Sequence, residues 1–183
     1  MSDTGRAFIE EARRLLRADY LPKIERCLEQ LDDAQLWWRP NEQSNSVANL
    51  LLHLAGNARQ WIVGGVGGDG DDRERDAEFA AGQSGPRGEG LPGGAELIER
   101  LRDTLREVDA VLARLEPSSL LETRNIQGLA GVPVLSAVFH VVEHFATHTG
   151  QIVLLTKLLA ARDLAFYDFS GGAPRANWHK KRQ

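Results

Sequence analysis

The chain has 183 residues, 42% of them hydrophobic, enough for a well-buried core and about the size of one domain. A net charge of −4 excludes a global electrostatic case for nucleic acid, and the short basic run Lys180-Lys181-Arg182 does not reverse it. The lone Cys27 excludes an intrachain disulfide and a cysteine zinc cluster.

Met1 to Glu11 is charged and lacks a signal-peptide core, and no apolar run reaches the length of a membrane span. A soluble, cytoplasmic protein without membrane partners is therefore the expectation, with Cys27 as a buried structural thiol.

The first periodic segment runs from about Gly5 to Leu31, with Asp3 or Thr4 as its cap. Phe8, Leu15, Leu16, Ile24, Leu28 and Leu31 form its apolar stripe. Pro22 lacks an amide donor, which predicts a kink or restart near Leu21. Leu36 to Pro40 then reads as a turn whose Trp37 and Trp38 close the end of the core.

Asn45 or Ser46 caps a second helix reaching about Val63, with His53 at the edge of its apolar stripe and Asn57 one turn further on. Residues 64–94 are irregular. Glycines crowd both ends, and Arg73 to Phe79 has the makings of a short helix. The stretch reads as a solvated connector with Phe79 pinned to the core, or as a lid over a pocket. Its glycines match no phosphate-binding loop.

A third helix spans Ala95 to about Leu115 with leucine and valine spaced by four and three, and its charged face reads as solvent-exposed ion pairing. Pro117 stops it. Glu122 to Ile126 is a short extended piece suited to pairing with another loop, and Pro133 falls in the first turn of a fourth helix reaching about Arg162. Leu164 to Gln183 forms a tail whose Phe166, Tyr167, Phe169 and Trp178 are candidates to pack back on the bundle; His179 sits in its frayed part. The pattern predicts one all-α domain, a four-helix bundle with long crossovers.

Three of the five histidines, His140, His144 and His148, lie four apart on the fourth helix. Residues i and i+4 stack on one helix face, so two such imidazoles can share one metal ion. All three cannot, because His140 and His148 are about 12 Å apart along the axis. On a helical wheel, His148 lies about 40° from the centre of the apolar stripe, His144 about 80° and His140 about 120°. That phase selects His144 with His148 and leaves His140 on the flank. The same wheel turns Glu143 away, so it is not taken as a general base. Histidines on such a face also occur as ordinary hydrogen-bonded core residues.

The segments Asn45 to Asn57 and His140 to Ile152, the latter ending in HxxxHxxGQ, resemble the helix-two and helix-four signatures of the DinB-like superfamily, the YfiT-like metalloproteins. The resemblance covers roughly residues 8–159 in helix order. It implies a DinB-type four-helix bundle holding a divalent ion, Zn2+ or Ni2+, with His53, His144 and His148. It further implies a homodimer and a low-molecular-weight thiol or other small molecule as substrate. Thr149 stands where many of these proteins carry arginine, so an anion-binding role there does not carry over.

Three neutral imidazoles leave open coordination positions, the arrangement of a catalytic site. A metal-dependent thiol S-transferase or hydrolase-like enzyme is the expected function; the alternative is a non-catalytic, stress-associated metal-binding bundle. Gln151 and Asn57 are candidates to support the ligands from behind, and His140 or a loop carboxylate such as Asp76 is the first to consider as an added ligand.

Overall fold

The computed structural model describes residues 2–82 and 90–179, without the side chains of residues 2 and 3. The run Lys180-Lys181-Arg182 and the first part of the glycine-rich stretch from Gly85 lie outside the described residues. The protein is mostly helical, with four long helical rods packed together and two small strand pairs.

The first rod joins α1 (Ser2–Arg14), a π-helical segment (Leu15–Tyr20) and α2 (Leu21–Leu28). The restart expected near Leu21 is present: α2 begins at Leu21, with Pro22 in its first turn, after the π-helical segment. The Leu21 amide donates five residues back to the Leu16 carbonyl, so the ladder has already widened where the proline amide is missing. The helix begins at Ser2, which puts Asp3 and Thr4 inside its first turn and rules them out as caps. Ile9, Leu16, Ile24 and Cys27 face the core. Burial pushes the Cys27 thiol up to about 11, so it stays protonated and inert.

α3 (Asp33–Leu36) is a single turn held by a reciprocal capping pair, Asp32 and Gln35. It delivers Trp37 into the end of the core, where the indole N–H donates to the Pro92 carbonyl at 3.1 Å. The second rod is α4 (Val47–Ala58), continued by a π-helical segment (Arg59–Val66). Ser46, not Asn45, caps it. The Ser46 Oγ accepts from the Asn49 amide at 3.1 Å, and Asn49 Oδ1 accepts from the Ser46 amide at 3.2 Å.

Asn49 is fully buried and does a second job. Its Nδ2 donates to the carbonyls of Glu78 (2.8 Å) and Ala81 (3.0 Å), which fastens α5 (Arg75–Ala80) and the crossover around it to the start of α4. The cap of one rod thus anchors a loop that sequence periodicity leaves unplaced.

The third rod, α6 (Gly94–Arg114), buries Leu97, Leu101, Leu105, Val108 and Leu112. Its outer face carries the expected ion pairs, some of which reach the first rod: Arg13 to Asp109 at 2.8 Å and Arg102 to Glu25 at 2.7 Å. The extended piece after it does pair, but with its own continuation. β1 (Thr123–Ile126) and β2 (Leu129–Pro133) form an antiparallel hairpin turning at Gln127 and Gly128, both with positive φ. The Trp61 indole donates to Gln127 Oε1 at 2.9 Å and ties this hairpin to the second rod.

The fourth rod, α7 (Val134–Ala160), starts one residue after Pro133, which occupies the cap position rather than the first turn. Val134, Val138, Val141, Phe145, Ile152 and Leu155 are buried along it. It ends at Ala161, whose φ of 50° reverses the chain. In the tail, β3 (Tyr167–Asp168) pairs with β4 (Arg175–Ala176). Arg26, buried under it, donates to the Ala165 carbonyl at 3.1 Å, and Trp178 donates to the Ala18 carbonyl at 3.1 Å with Lys23 over its ring. Phe166 packs back on the core, whereas Phe169 stays exposed. Among the described residues no helix is long and apolar enough to cross a membrane.

Asn49→Ala should cost more than a cap alone, because it also removes the donor to the Glu78 carbonyl and one of two donors to the Ala81 carbonyl. A loss of about 1–3 kcal/mol is expected in denaturant unfolding, against about 1 kcal/mol for Ser46→Ala.

Candidate metal centre

α4 and α7 pack against each other in the bundle, and His53 on α4 faces His144 and His148, one turn apart on α7. One ring nitrogen from each of the three lies within 4.8 Å of the others, so the group can hold a metal ion. His53 Nε2 and His144 Nε2 are 2.9 Å apart. The His148 ring meets His53 and His144 edge-on, with centroids 5.2 and 4.4 Å away. His53 is buried; His144 and His148 are half-exposed and leave the cluster open on their side.

His140 lies beside this cluster but has other partners. Its ring stacks on Trp61 at 4.0 Å, and its Nε2 accepts from Asn57 Nδ2 at 3.2 Å. Asn57 therefore supports His140 rather than a member of the trio. Gln151 does support one, since its Oε1 accepts from His148 Nδ1 at 2.6 Å. That bond puts the proton on Nδ1 and leaves the Nε2 lone pair of His148 free.

Behind His53 stand two residues from the crossover. Glu78 Oε2 lies 3.0 Å from His53 Nδ1. Arg73 grips the same carboxylate with two parallel bonds, Nε to Oε1 and Nη2 to Oε2, both 2.7 Å, and its Nη1 donates to Gln60 Oε1 at 2.9 Å. The Arg73 and Glu78 side chains are 4% and 11% exposed, so the pair is almost out of water. Burial pushes the Glu78 carboxyl up, but the bonds from Arg73 and His53 more than offset it and hold the group below its usual range.

Arg73 Nη2 is also 2.9 Å from His53 Nδ1. One ring nitrogen cannot accept from Arg73 and donate to Glu78 at once. The carboxylate decides: a lone pair on Nδ1 would face the anionic Oε2, so Nδ1 carries the proton and Nε2 is left free. The Phe79 ring covers the His53 imidazole at 4.6 Å between centroids.

Sequence reasoning missed both Arg73 and Glu78. Asp76, the carboxylate it named, sits on the same short helix but is exposed, and Glu143 is exposed on α7. One signal was available. Gly56, in the middle of an otherwise apolar helix, costs about 1 kcal/mol relative to alanine, which implies that something approaches the backbone there. A Cβ on Gly56 would overlap Glu78 Oε1 and come within 2.9 Å of Arg73 Nε. A cleft of about 400 Å³ shares Gly56, Arg73 and Glu78 with the centre, but no histidine lines it.

Burial, then the neighbouring imidazoles, pushes His144 down from 6.5 to about 3, and burial also lowers His140 and His148. These rings are therefore uncharged at neutral pH, the form in which imidazole ligates. On unfolding between those limits they take up protons, so acid favours the unfolded chain. The metal-free protein should keep its full stability above about pH 6.5 and lose it as pH falls. Glu78 adds to that loss only from its ordinary value of 4.5 downward. Denaturant midpoints measured from pH 7 to 5 should fall for the natural sequence and fall less for His144→Leu.

No curated protein matches the chain. A solved structure, described as a conserved protein from Enterococcus faecalis, is similar over 88% of this chain and 98% of its own, with a TM-score of 0.62 and 15% identity. At that identity the likeness is one of fold. The family model described as a protein of unknown function, DUF1572, matches residues 3–170. The chain belongs to the DUF1572 family.

Proposed function

We propose that this is a DinB-like metalloprotein whose His53, His144 and His148 hold one divalent ion, zinc or nickel, and that the bound ion serves a metal-dependent reaction on a thiol or water. The observation that carries this reading is the convergence of three ring nitrogens, two of them on half-exposed rings, within 4.8 Å. The donor set fits such an ion. Imidazole nitrogens suit zinc and nickel, and the lowered pKa of His144 and His148 keeps their lone pairs available at neutral pH.

When bound, the ion supplies Lewis acidity that lowers the pKa of a thiol or water brought to it. The protein residues do the rest. Gln151 orients His148, Phe79 shields the His53 face, and the half-exposed side of His144 and His148 admits the small molecule. His140, held by Trp61 and Asn57, borders the trio without joining it. The resemblance to DinB-like proteins supports the same ligand set and a thiol S-transferase or hydrolase-like reaction. It also supports a homodimer, for which Phe139, Leu154 and Leu158 on the outer face of α7 are exposed and available.

Purified, tag-free protein should retain about one equivalent of zinc or nickel after dialysis, by elemental analysis. His53→Ala, His144→Ala and His148→Ala should each abolish stoichiometric binding, while His140→Ala keeps it. Loss of the ion in His140→Ala with retention in His148→Ala would overturn the assignment.

Cobalt substitution tests the reaction class. A small thiol should add a sulfur-to-metal charge-transfer band, since the d–d and charge-transfer spectrum reports ligand type. Spectra unchanged by saturating thiol and azide would leave a non-catalytic metal-binding bundle.

A further inference from the structure

We infer that Arg73 and Glu78, admitted to the site by the missing side chain of Gly56, are positioning residues that fix the tautomer and ring orientation of His53. Crossover residues 71–81 are thereby a working part of the centre as well as a cover over it. The inference deepens the metal-site reading and rests on it for its purpose, although the tautomer itself is set with or without an ion.

The geometry has three independent parts. The first is Glu78 Oε2, 3.0 Å from His53 Nδ1 and itself acceptor-only, which places the proton on Nδ1 and the lone pair on Nε2. Nε2 is the nitrogen that faces His144. A carboxylate behind a ligating imidazole both orients the ring and raises its basicity.

The second part is Arg73. Without a partner on its other oxygen the carboxylate could rotate away from His53 Nδ1. The two guanidinium bonds prevent that, and Arg73 is in turn held by Gln60 Oε1, by its amide on Asp71 Oδ1 at 3.1 Å, and by Gln60 Nε2 on Asp71 Oδ2 at 2.7 Å. The chain runs from Asp71 through Gln60 and Arg73 to Glu78 and ends on His53.

The third is access. His53 and Gly56 are three apart on α4 and share a face. A Cβ at 56 would overlap Glu78 Oε1, so any other residue there forces the carboxylate to shift from its present contact with the ring. The backbone beneath Glu78 is fixed separately, by Asn49 to the Glu78 and Ala81 carbonyls and by Arg39 to the Ala81 carbonyl at 3.1 Å. The Glu78 side chain therefore starts from a backbone that is held against α4.

The test uses the full chain, stripped of metal, with two readouts. Nitrogen NMR of the imidazoles reports the tautomer of His53, and competition against a chromophoric chelator reports zinc affinity. The natural sequence should show His53 protonated at Nδ1. Glu78→Leu should move the proton to Nε2 and weaken zinc binding about 10- to 100-fold, the usual effect of losing such a support. Glu78→Gln keeps an oxygen that can accept from Nδ1–H, so it should retain the tautomer and lie within a few-fold of natural affinity. Gly56→Ala, which alters neither partner, should behave like Glu78→Leu.

Thermal unfolding confirms that each variant is folded, and Gly56→Ala and Glu78→Gln carry the test if Glu78→Leu is not. An unchanged His53 tautomer in Glu78→Leu or Gly56→Ala overturns the inference, whatever zinc does. A Glu78-dependent tautomer in a protein that takes no zinc upholds the positioning role and defeats the metal-site reading alone.

Discussion

A carboxylate taken out of water must find a cation and hydrogen-bond donors or lose its charge, and the environment of Glu78 is built to meet that demand. Arg73 supplies the cation, His53 the further donor, and Gly56 the room. The elements that carry these residues are then constrained in turn. The crossover between the second and third rods must return to the flank of α4, and the buried Asn49 fastens it there. A loop that would otherwise be solvated connector becomes one wall of the histidine cluster.

The bundle supplies what the loop cannot. His144 and His148 are one turn apart on α7, at the edge of the face that buries Val141, Phe145, Thr149 and Ile152. Their direction is set by how α7 rolls against its neighbours, and close packing leaves that roll little freedom. His53 comes from the facing rod. Ligands on two rigid helices hold their spacing better than ligands on loops. The mobile chemistry of an imidazole, its choice of tautomer, is left to the residues behind each ring: Gln151 behind His148 and Glu78 behind His53.

The helical irregularities have separate local causes. In the first rod the π-helical turn precedes Pro22, where one amide is missing; in the second it follows His53 and Asn57 and runs into Gly64 and Gly65. A widened turn changes which residues share a face, so wheel arguments carried across residues 59–66 lose phase. On α7, which stays α-helical throughout, the wheel keeps its phase over 27 residues.

The sequence by itself determined the four helical rods, the apolar faces that meet, and the place of three histidines on those rods. All of these follow from a period of 3.6 residues and from capping chemistry that acts within four residues, as Ser46 and Asn49 show. Tertiary structure alone decided that Glu78 rather than Asp76 reaches the centre, that Arg73 is buried with it, that Asn57 serves His140, and that the extended piece after α6 folds back on itself. The contacts from Glu78 to His53 and from Asn57 to His140 join residues 25 and 83 apart in the chain. No local periodicity encodes a contact of that kind. It comes from two rods packing at one angle and from a crossover returning to a glycine, and a charged residue in a loop looks the same in sequence whether it ends in water or against an imidazole.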